Sequence, residues 1–250
     1  MKVIFLGVGE AFDENYPNNS ALILTDKTSL MIDCGDSSAV RQLWKYNKGD
    51  HNLVDALYIT HRHSDHLFGL PAMLSRFYEE KRAKPFTIIC TKPLHEDIKI
   101  ITRYAYQGLE TNFPFKLNVI EIEDGQTIDL QDLKLSFALA RHSTPVLSIK
   151  VDDGRNKVCY SGDGMFSLRE GFYKDIDLLI QETYLYDKEI IGHACITGAI
   201  KFAEDNNIKC LALVHMNKHF RKNDLSGVRD KIKSDKVKII IPEPLEEYEV

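Results

Sequence analysis

Five cysteines, Cys34, Cys90, Cys159, Cys195 and Cys210, are scattered with no CxxC pair among them. That spacing fits neither a disulfide framework nor a structural zinc module, and reduced, mostly buried thiols in a cytoplasmic protein are the expectation. Long hydrophobic runs are missing as well. No window approaches 18 apolar residues, so no membrane-spanning helix is expected. The apolar stretch behind Lys2 is broken by Gly7, Gly9 and Glu10, too early for a signal-peptide core. A global excess of positive charge is absent: the net charge is -5 and the pI about 6.0, which leaves at most a local basic patch for nucleic acid. No linker, low-complexity tract or internal repeat divides the chain. With 250 residues, 44% hydrophobic and 28% charged, one globular domain spanning 1–250 is expected.

What is present is a succession of apolar runs that end in polar, chemically active residues. Val3 to Leu6 reads as a buried strand leading into a loop rich in Gly, Asp, Asn and Pro. Ser20 to Thr25 and Thr28 to Ile32 form a hairpin pattern, closed by the turn residues Asp33-Cys34-Gly35-Asp36, and Ser37-Ser38 cap a helix through Trp44. Leu53 to Ile59 reads as a strand and Leu70 to Tyr78 as a helix with Pro71 in its first turn. Phe86 to Cys90 is a strand and Leu94 to Gln107 a helix, with Ile98, Ile101, Tyr104 and Ala105 at three- and four-residue steps. Leu117 to Ile122 and Leu133 to Ala140 are further strands, separated by Asp124-Gly125. Ala194 to Asn206 is an amphipathic helix, Val237 to Ile241 a last strand and Pro242 to Val250 an acidic tail.

The densest chemistry follows the Leu53 to Ile59 run: Thr60-His61-Arg62-His63-Ser64-Asp65-His66. Imidazoles and carboxylates suit zinc and similar first-row metals. A strand ending near Thr60 delivers His61 and His63 to one side, and a turn then sends Asp65 and His66 toward a second ion about 3.5–4 Å away, as in two-metal hydrolytic sites. The later strands repeat this logic. Leu133 to Ala140 is followed by His142, Lys157 to Ser161 by Asp163, Asp177 to Ile180 by Glu182, and Ile208 to Val214 by His215. A sheet scaffold with its chemistry along one rim follows.

The ordered set His61-x-His63-x-Asp65-His66, His142, Asp163 within Tyr160-Ser161-Gly162-Asp163-Gly164, and His215 resembles the signature of the metallo-β-lactamase superfamily. Within it the chain looks most like the ribonuclease Z branch, which includes related phosphodiesterases and arylsulfatase-like enzymes. Phe5-Leu6-Gly7-Val8-Gly9 with Asn19-Ser20 is similar to that branch's opening, Gln181-Glu182-Thr183 to its acidic "HEAT" segment, and Gly192-His193-Ala194 to its "HST" segment. The resemblance implies an α/β fold, a four-layer αββα sandwich, with a dinuclear metal site at one edge, and a homodimer. It assigns His61, His63 and His142 to one metal, Asp65, His66 and His215 to the other, and Asp163 to both. Glu182 and His193 become a pair that protonates the leaving oxygen, the carboxylate restoring the basicity that a helix N-terminus takes from His193. One feature departs from the branch. True ribonuclease Z enzymes insert a long Gly/Pro-rich arm for tRNA, whereas Thr144 to Asp163 here passes through a short hairpin at Val151-Asp152-Asp153-Gly154-Arg155.

The expected activity is therefore metal-dependent hydrolysis of a phosphodiester by a water ionised between two divalent cations, with Asp65 orienting it. Zinc is expected from the donor set, with manganese or iron as alternatives. A small phosphodiester or single-stranded nucleic acid fits the missing arm better than intact tRNA. One alternative is another ester on the same site: aryl sulfate, carboxylic ester, lactone or thioester. A non-catalytic metal-binding scaffold is the other, and the presence of all seven ligands argues against it. A redox di-iron site of the superfamily carries Glu where His63 stands. Asp33 reads either as a residue orienting a ligand histidine or as a strand-end turn. Tyr184, Tyr186, Phe166, Met216 and Phe220 fall near the rim, and Lys218, Arg221 and Lys222 read as a solvated basic loop or, alternatively, a phosphate contact.

Overall fold

Most strands here are apolar on both faces, which requires a layer on each side. In the computed structural model, which describes residues 1–108 and 113–250, they form two seven-stranded sheets. In the first, β14 (Glu247–Glu249), β1 (Lys2–Gly7), β2 (Ser20–Leu24) and β3 (Ser29–Ile32) run antiparallel, and β4 (Ala56–Tyr58), β5 (Phe86–Thr91) and β6 (Leu117–Ile122) continue parallel to β3. In the second, β13 (Lys238–Ile240), β12 (Cys210–Val214), β11 (Leu178–Glu182) and β10 (Lys157–Tyr160) are parallel. There β9 (Val146–Asp152), β8 (Leu133–Ala140) and β7 (Thr127–Leu130) extend the sheet antiparallel.

Alternation decides which residues meet. Val3 and Phe5 of β1 join Phe137, Ile149 and Ile180 between the sheets, while Ile4 and Leu6 turn outward to the helices. Helices α1 (Ser37–Tyr46), α3 (Leu70–Glu79) and α4 (Lys92–Ala105) cover the outside of the first sheet through Leu43, Met73, Phe77 and Ile98. Helix α5 (Ile196–Asp205) and the segment from Phe220 cover the second through Ile196, Ala199 and Leu225. The result is the four-layer αββα sandwich.

Several boundaries differ from the sequence reading. Pro242 to Val250 is not merely a tail: Val3 pairs with Tyr248, and Lys2 Nζ lies 2.8 Å from Glu247. Glu-Tyr-Glu is too short to register as alternation. β7 was likewise unread because its exposed face is polar and it forms the edge of its sheet. Asp36, not Ser37 or Ser38, caps α1, its side chain accepting from the Ser38 N–H at 2.6 Å.

Next to the rim the two sheets are joined by directed bonds. The Tyr58 hydroxyl donates to the Leu147 carbonyl at 2.6 Å, and the Leu147 N–H donates to the Thr60 carbonyl at 3.3 Å. Tyr160, from the opposite sheet, donates to the Asn19 carbonyl at 3.3 Å. Tyr58→Phe strands a buried carbonyl, so it should cost about 1–3 kcal/mol. Denaturant unfolding measures it, and a loss below roughly 0.5 kcal/mol would show that the bond adds nothing beyond an ordinary surface change.

Candidate metal centre

The parallel strands of both sheets deliver their C-terminal ends to one rim, the usual place for chemistry in sheets of this kind. Asp33 follows β3, His61 lies three residues beyond β4, Asp163 three beyond β10, Glu182 ends β11 and His215 follows β12. Antiparallel β8 adds His142 two residues beyond its end. His61 and His63 do not leave from an extended strand pair, as their spacing suggested. β4 stops at Tyr58, and a loop leads into the single-turn helix α2 (Ser64–Leu67), with His63 at its N-cap. That turn carries both Asp65 and His66 inward, and both are buried. One helical turn is too short to show a period in sequence.

The ligating atoms of His61, His63, His142 and Asp163 lie within 4.8 Å of one another, and so do those of Asp65, His66, Asp163 and His215. Asp163 belongs to both groups. His66 Nε2 is 3.1 Å from Asp163 Oδ1 and 3.3 Å from Asp65 Oδ2, while His215 Nε2 is 3.2 Å from Asp163 Oδ2 and 3.4 Å from Asp65 Oδ2. Close as they are, Nε2 of His61, Nε2 of His66 and Oδ1 of Asp163 are buried without an aligned hydrogen-bond partner. Buried polar atoms are rarely left so. Converging imidazole and carboxylate donors of this kind fit divalent cations, zinc foremost by donor type.

The back nitrogens of His142, His66 and His61 are held by partners that set the tautomers, whereas His215 Nδ1 is buried without one. His142 Nδ1 donates to the Gly192 carbonyl at 2.8 Å, which leaves Nε2 with its lone pair. His66 Nδ1 meets Asp33 Oδ2 at 2.6 Å. His61 Nδ1 lies 2.9 Å from Thr60 Oγ1, whose own hydrogen goes to Asp33 at 3.0 Å. Asp33 is thus the orienting residue, not merely a turn, although it also takes a left-handed backbone at φ 58. His215 does the same at φ 57. Gly192, at φ +83, approaches so closely that a Cβ there would stand 3.0 Å from His142 Nδ1.

The electrostatics divide the site. Burial pushes the Asp65 carboxyl up, but His66 and His215 outweigh it and hold the group below the carboxylate range. Asp163 shows the same opposition and the same outcome, with His215 and His66 prevailing. Burial disfavours a charged His215, yet Asp163 and Asp65 raise it to about 9, and His66 rises under Asp163 and Asp33 against the same penalty. Burial lowers His61 and His142 toward neutral imidazole. The carboxylate-rich half therefore draws in positive charge, as protons or as the cations that displace them.

Glu182 is fully buried, and burial pushes its carboxyl up. Its Oε1 accepts from the Ala194 N–H at 2.7 Å and the Gly164 N–H at 3.2 Å, and its Oε2 faces His193 Nδ1 at 3.2 Å. The His193 ring lies between Tyr184 (centroids 4.9 Å apart) and His215 (5.8 Å). Unlike the sequence expectation, His193 is three residues ahead of α5, because Ala194 and Cys195 are tied to the Tyr184–Leu185 backbone. Its setting is therefore the Glu182 carboxylate and two ring faces, not a helix terminus.

A cavity of about 330 Å³ opens over these groups. Of the residues expected at the rim, Tyr184 lines it, whereas Phe166, Tyr186, Met216 and Phe220 pack under the second sheet. Glu10 and Phe12, in the loop after β1, also line it and were missed. The strand-end rule that found the other positions applies to β1 too. Nor are Lys218 and Arg221 a solvated loop. Lys218 Nζ donates to the Phe12 carbonyl at 3.0 Å and pairs with Glu14, and buried Arg221 lies over the Tyr16 ring at 3.6 Å.

Two outcomes are expected from metal titration. Asp33→Asn should weaken zinc binding about 10–100-fold in chelator competition while the fold is retained; unchanged affinity would remove Asp33 from the ligand support. His215 holds its proton up to about pH 9 in the metal-free protein. Apparent affinity should therefore rise roughly tenfold per pH unit for each proton displaced as pH climbs toward 9, with proton release seen by calorimetry in buffers of different ionisation enthalpy. A flat profile would mean that these imidazoles are not ligands.

Comparisons with known proteins agree with this architecture. A curated relative, ribonuclease Z of Exiguobacterium sp. (strain ATCC BAA-1283 / AT1b), is 30% identical over 153 residues, covering 61% of this chain and 49% of its own length, so the match spans about half of that relative. Ribonuclease Z of Methanothermobacter thermautotrophicus is 24% identical over 284 residues, covering 90% of this chain and 89% of its own. Human tRNase Z, short form (ELAC1), superposes with a TM-score of 0.79 at 20% identity, over 100% of this chain and 99% of that one. The sequence pattern of the family described as "Anti-Pycsar protein Apyc1" matches residues 1–237. With that span, the chain belongs to the Anti-Pycsar protein Apyc1 family and is a ribonuclease Z-like protein of the metallo-β-lactamase fold.

Proposed function

We propose that this protein, as a single domain over 1–250, is a metal-dependent phosphodiester hydrolase acting on a small or single-stranded substrate. The observation that carries the reading is the pair of donor groups sharing Asp163, with the Glu182–His193 pair beside them. His61, His63 and His142 would hold one divalent cation and Asp65, His66 and His215 a second, Asp163 belonging to both donor groups. Zinc suits the donors, with manganese and iron as alternatives. Bound there, such ions supply Lewis acidity and make a coordinated water acidic near neutral pH.

The remaining roles belong to the chain. Asp65, buried and kept ionised, orients the attacking water with whatever acceptor capacity its ligand role leaves free. His193 is gripped at Nδ1 by Glu182, which leaves Nε2 to protonate the departing oxygen. A poor leaving group such as an alkoxide needs that proton; a thiolate or aryl sulfate needs it less. Between His142 and Asp163 the chain consists of β9, a tight turn and β10, with no arm to grip a tRNA. The relatives' names point to RNA, and the short connection favours a smaller phosphodiester here. Among the described residues no helix is long and apolar enough to cross a membrane.

The zinc- and manganese-loaded protein should cleave bis(p-nitrophenyl) phosphate in preference to p-nitrophenyl sulfate or acetate. Asp65→Ala should lower that rate at least about 100-fold. His193→Ala should lower the rate roughly 100-fold or more on a diester with an alkoxide leaving group, and much less on one releasing p-nitrophenolate. Robust turnover of sulfate or acetate without diester cleavage would replace this reading with that of another esterase. Turnover indifferent to Asp65→Ala would remove the metal site from the chemistry.

A further inference from the structure

We propose that Tyr184 is the positioning residue of His193: its ring is one jaw of a clamp that fixes the plane of the imidazole, and with it the direction in which Nε2 points. The proposal rests on the phosphodiesterase reading and deepens it, because a proton from His193 is useful only where the departing oxygen stands. A hydrogen bond by itself does not fix that direction. Glu182 Oε2 lies 3.2 Å from His193 Nδ1, at the long end of the usual range, and a single bond there leaves the ring able to swing about that atom. Nε2, across the ring, moves far in such a swing. Burial does not confine the ring either, since the His193 side chain keeps 18% exposure.

Ring faces supply the missing constraint. Tyr184 stacks on the imidazole with centroids 4.9 Å apart and 30° between planes, and His215 lies parallel to it at 5.8 Å and 12°. His142 meets its edge at 5.1 Å and 82°. His142 and His215 belong to the metal donor groups, which leaves Tyr184 as the neighbour outside them. The backbone of Tyr184 is tied to the segments of both histidines it adjoins. Its N–H donates to the carbonyl of Ala194, the residue after His193, at 2.9 Å. Its carbonyl accepts from the N–H of Asn217, two residues past His215, at 2.9 Å. Tyr184 also stands two residues past Glu182, the end of β11. One residue thus registers the carboxylate, the imidazole and the second ring against one another, and these bonds use only its main chain. The side chain is left to act by shape, and a flat ring is what a stack requires. Such registration matters because displacing a reacting group by about 1 Å can cost roughly 100-fold in rate.

The test uses Tyr184→Phe, Tyr184→Leu and Tyr184→Ala in the zinc-loaded protein, with His193→Ala as reference. Two diesters are compared: thymidylyl-(3′→5′)-thymidine, whose leaving group is an alkoxide, and bis(p-nitrophenyl) phosphate, whose leaving group needs little help from an acid. Tyr184→Leu and Tyr184→Ala should lower kcat on the dinucleotide about 10- to 100-fold with KM held within about twofold, and lower p-nitrophenolate release much less. Tyr184→Phe should restore the dinucleotide rate. Added to His193→Ala, Tyr184→Ala should cost nothing further, because the clamp then has nothing to hold. Independently of turnover, the His193 Nδ1–H should give a downfield imidazole proton resonance, identified by its absence in His193→Ala. That resonance should persist in Tyr184→Phe and be lost to solvent exchange in Tyr184→Ala. Equal losses on both diesters, a raised KM at unchanged kcat, additive loss in the double variant, or a resonance kept in Tyr184→Ala would each overturn the proposal. Wild-type protein that cleaves neither diester would sink the hydrolase reading instead, and the imidazole resonance would still decide on Tyr184.

Discussion

A single buried carboxylate holds the centre together. Asp33 accepts from the Thr60 N–H at 2.8 Å and from its hydroxyl, and meets His66 Nδ1 at 2.6 Å. Through Thr60 it also fixes the back nitrogen of His61. A carboxyl group so deep in the protein is tolerable only when its hydrogen-bonding capacity is used, and here its bonds go to Thr60 and to the ligand-type His66, both buried behind the cavity. The main-chain end of β3 and the beginning of the histidine loop are locked to the same group. Loss of this anchor would disturb one imidazole of each donor group, His66 directly and His61 through Thr60.

Around that anchor the site balances opposite costs. Burial alone would neutralise Asp65 and Asp163 and deprotonate His66 and His215, yet each of the four is shifted the other way by its neighbours. The other half, with His61 and His142, follows burial instead. Charge is thereby concentrated on one side of the cavity and neutral imidazole on the other. Glu182 adds to the charge that raises His215, while burial pushes its own carboxyl up. Two backbone N–H groups hold one of its oxygens while the other is turned to His193.

The strand-end pattern was readable because the chemistry of a ligand and the apolarity of a strand are both local properties. Asp163, Glu182 and His215 each stand within three residues of the end of an apolar run, and no tertiary information is needed to notice it. Glu10 and Phe12 follow such a run as well, but a lone glutamate in a loop rich in Gly, Asp, Asn and Pro does not stand out and a phenylalanine binds no metal, so the loop read as a connection. Lys218 and Arg221 show a different limit. A lysine and an arginine close together in sequence suggest solvent, and only the approach of Phe12 and Tyr16 from some 200 residues away turns them into braces.

The sequence by itself determined a sheet scaffold with its chemistry along one rim, the four layers following from the resemblance its motifs carry, and it determined the donor types, because only certain side chains bind metals. It also determined the absence of an arm, since the count of residues between His142 and Asp163 allows none. Which donors share a cavity, which nitrogen of each histidine is free and which surface aromatic stands over them were decided by the tertiary structure. Those properties depend on distances between strand ends far apart in the chain and on partners for back nitrogens, which residue spacing does not encode. The left-handed backbones at Asp33 and His215 belong to the same class. Asp and His adopt that conformation more readily than most side chains, but which of them do so here is set by the surrounding packing.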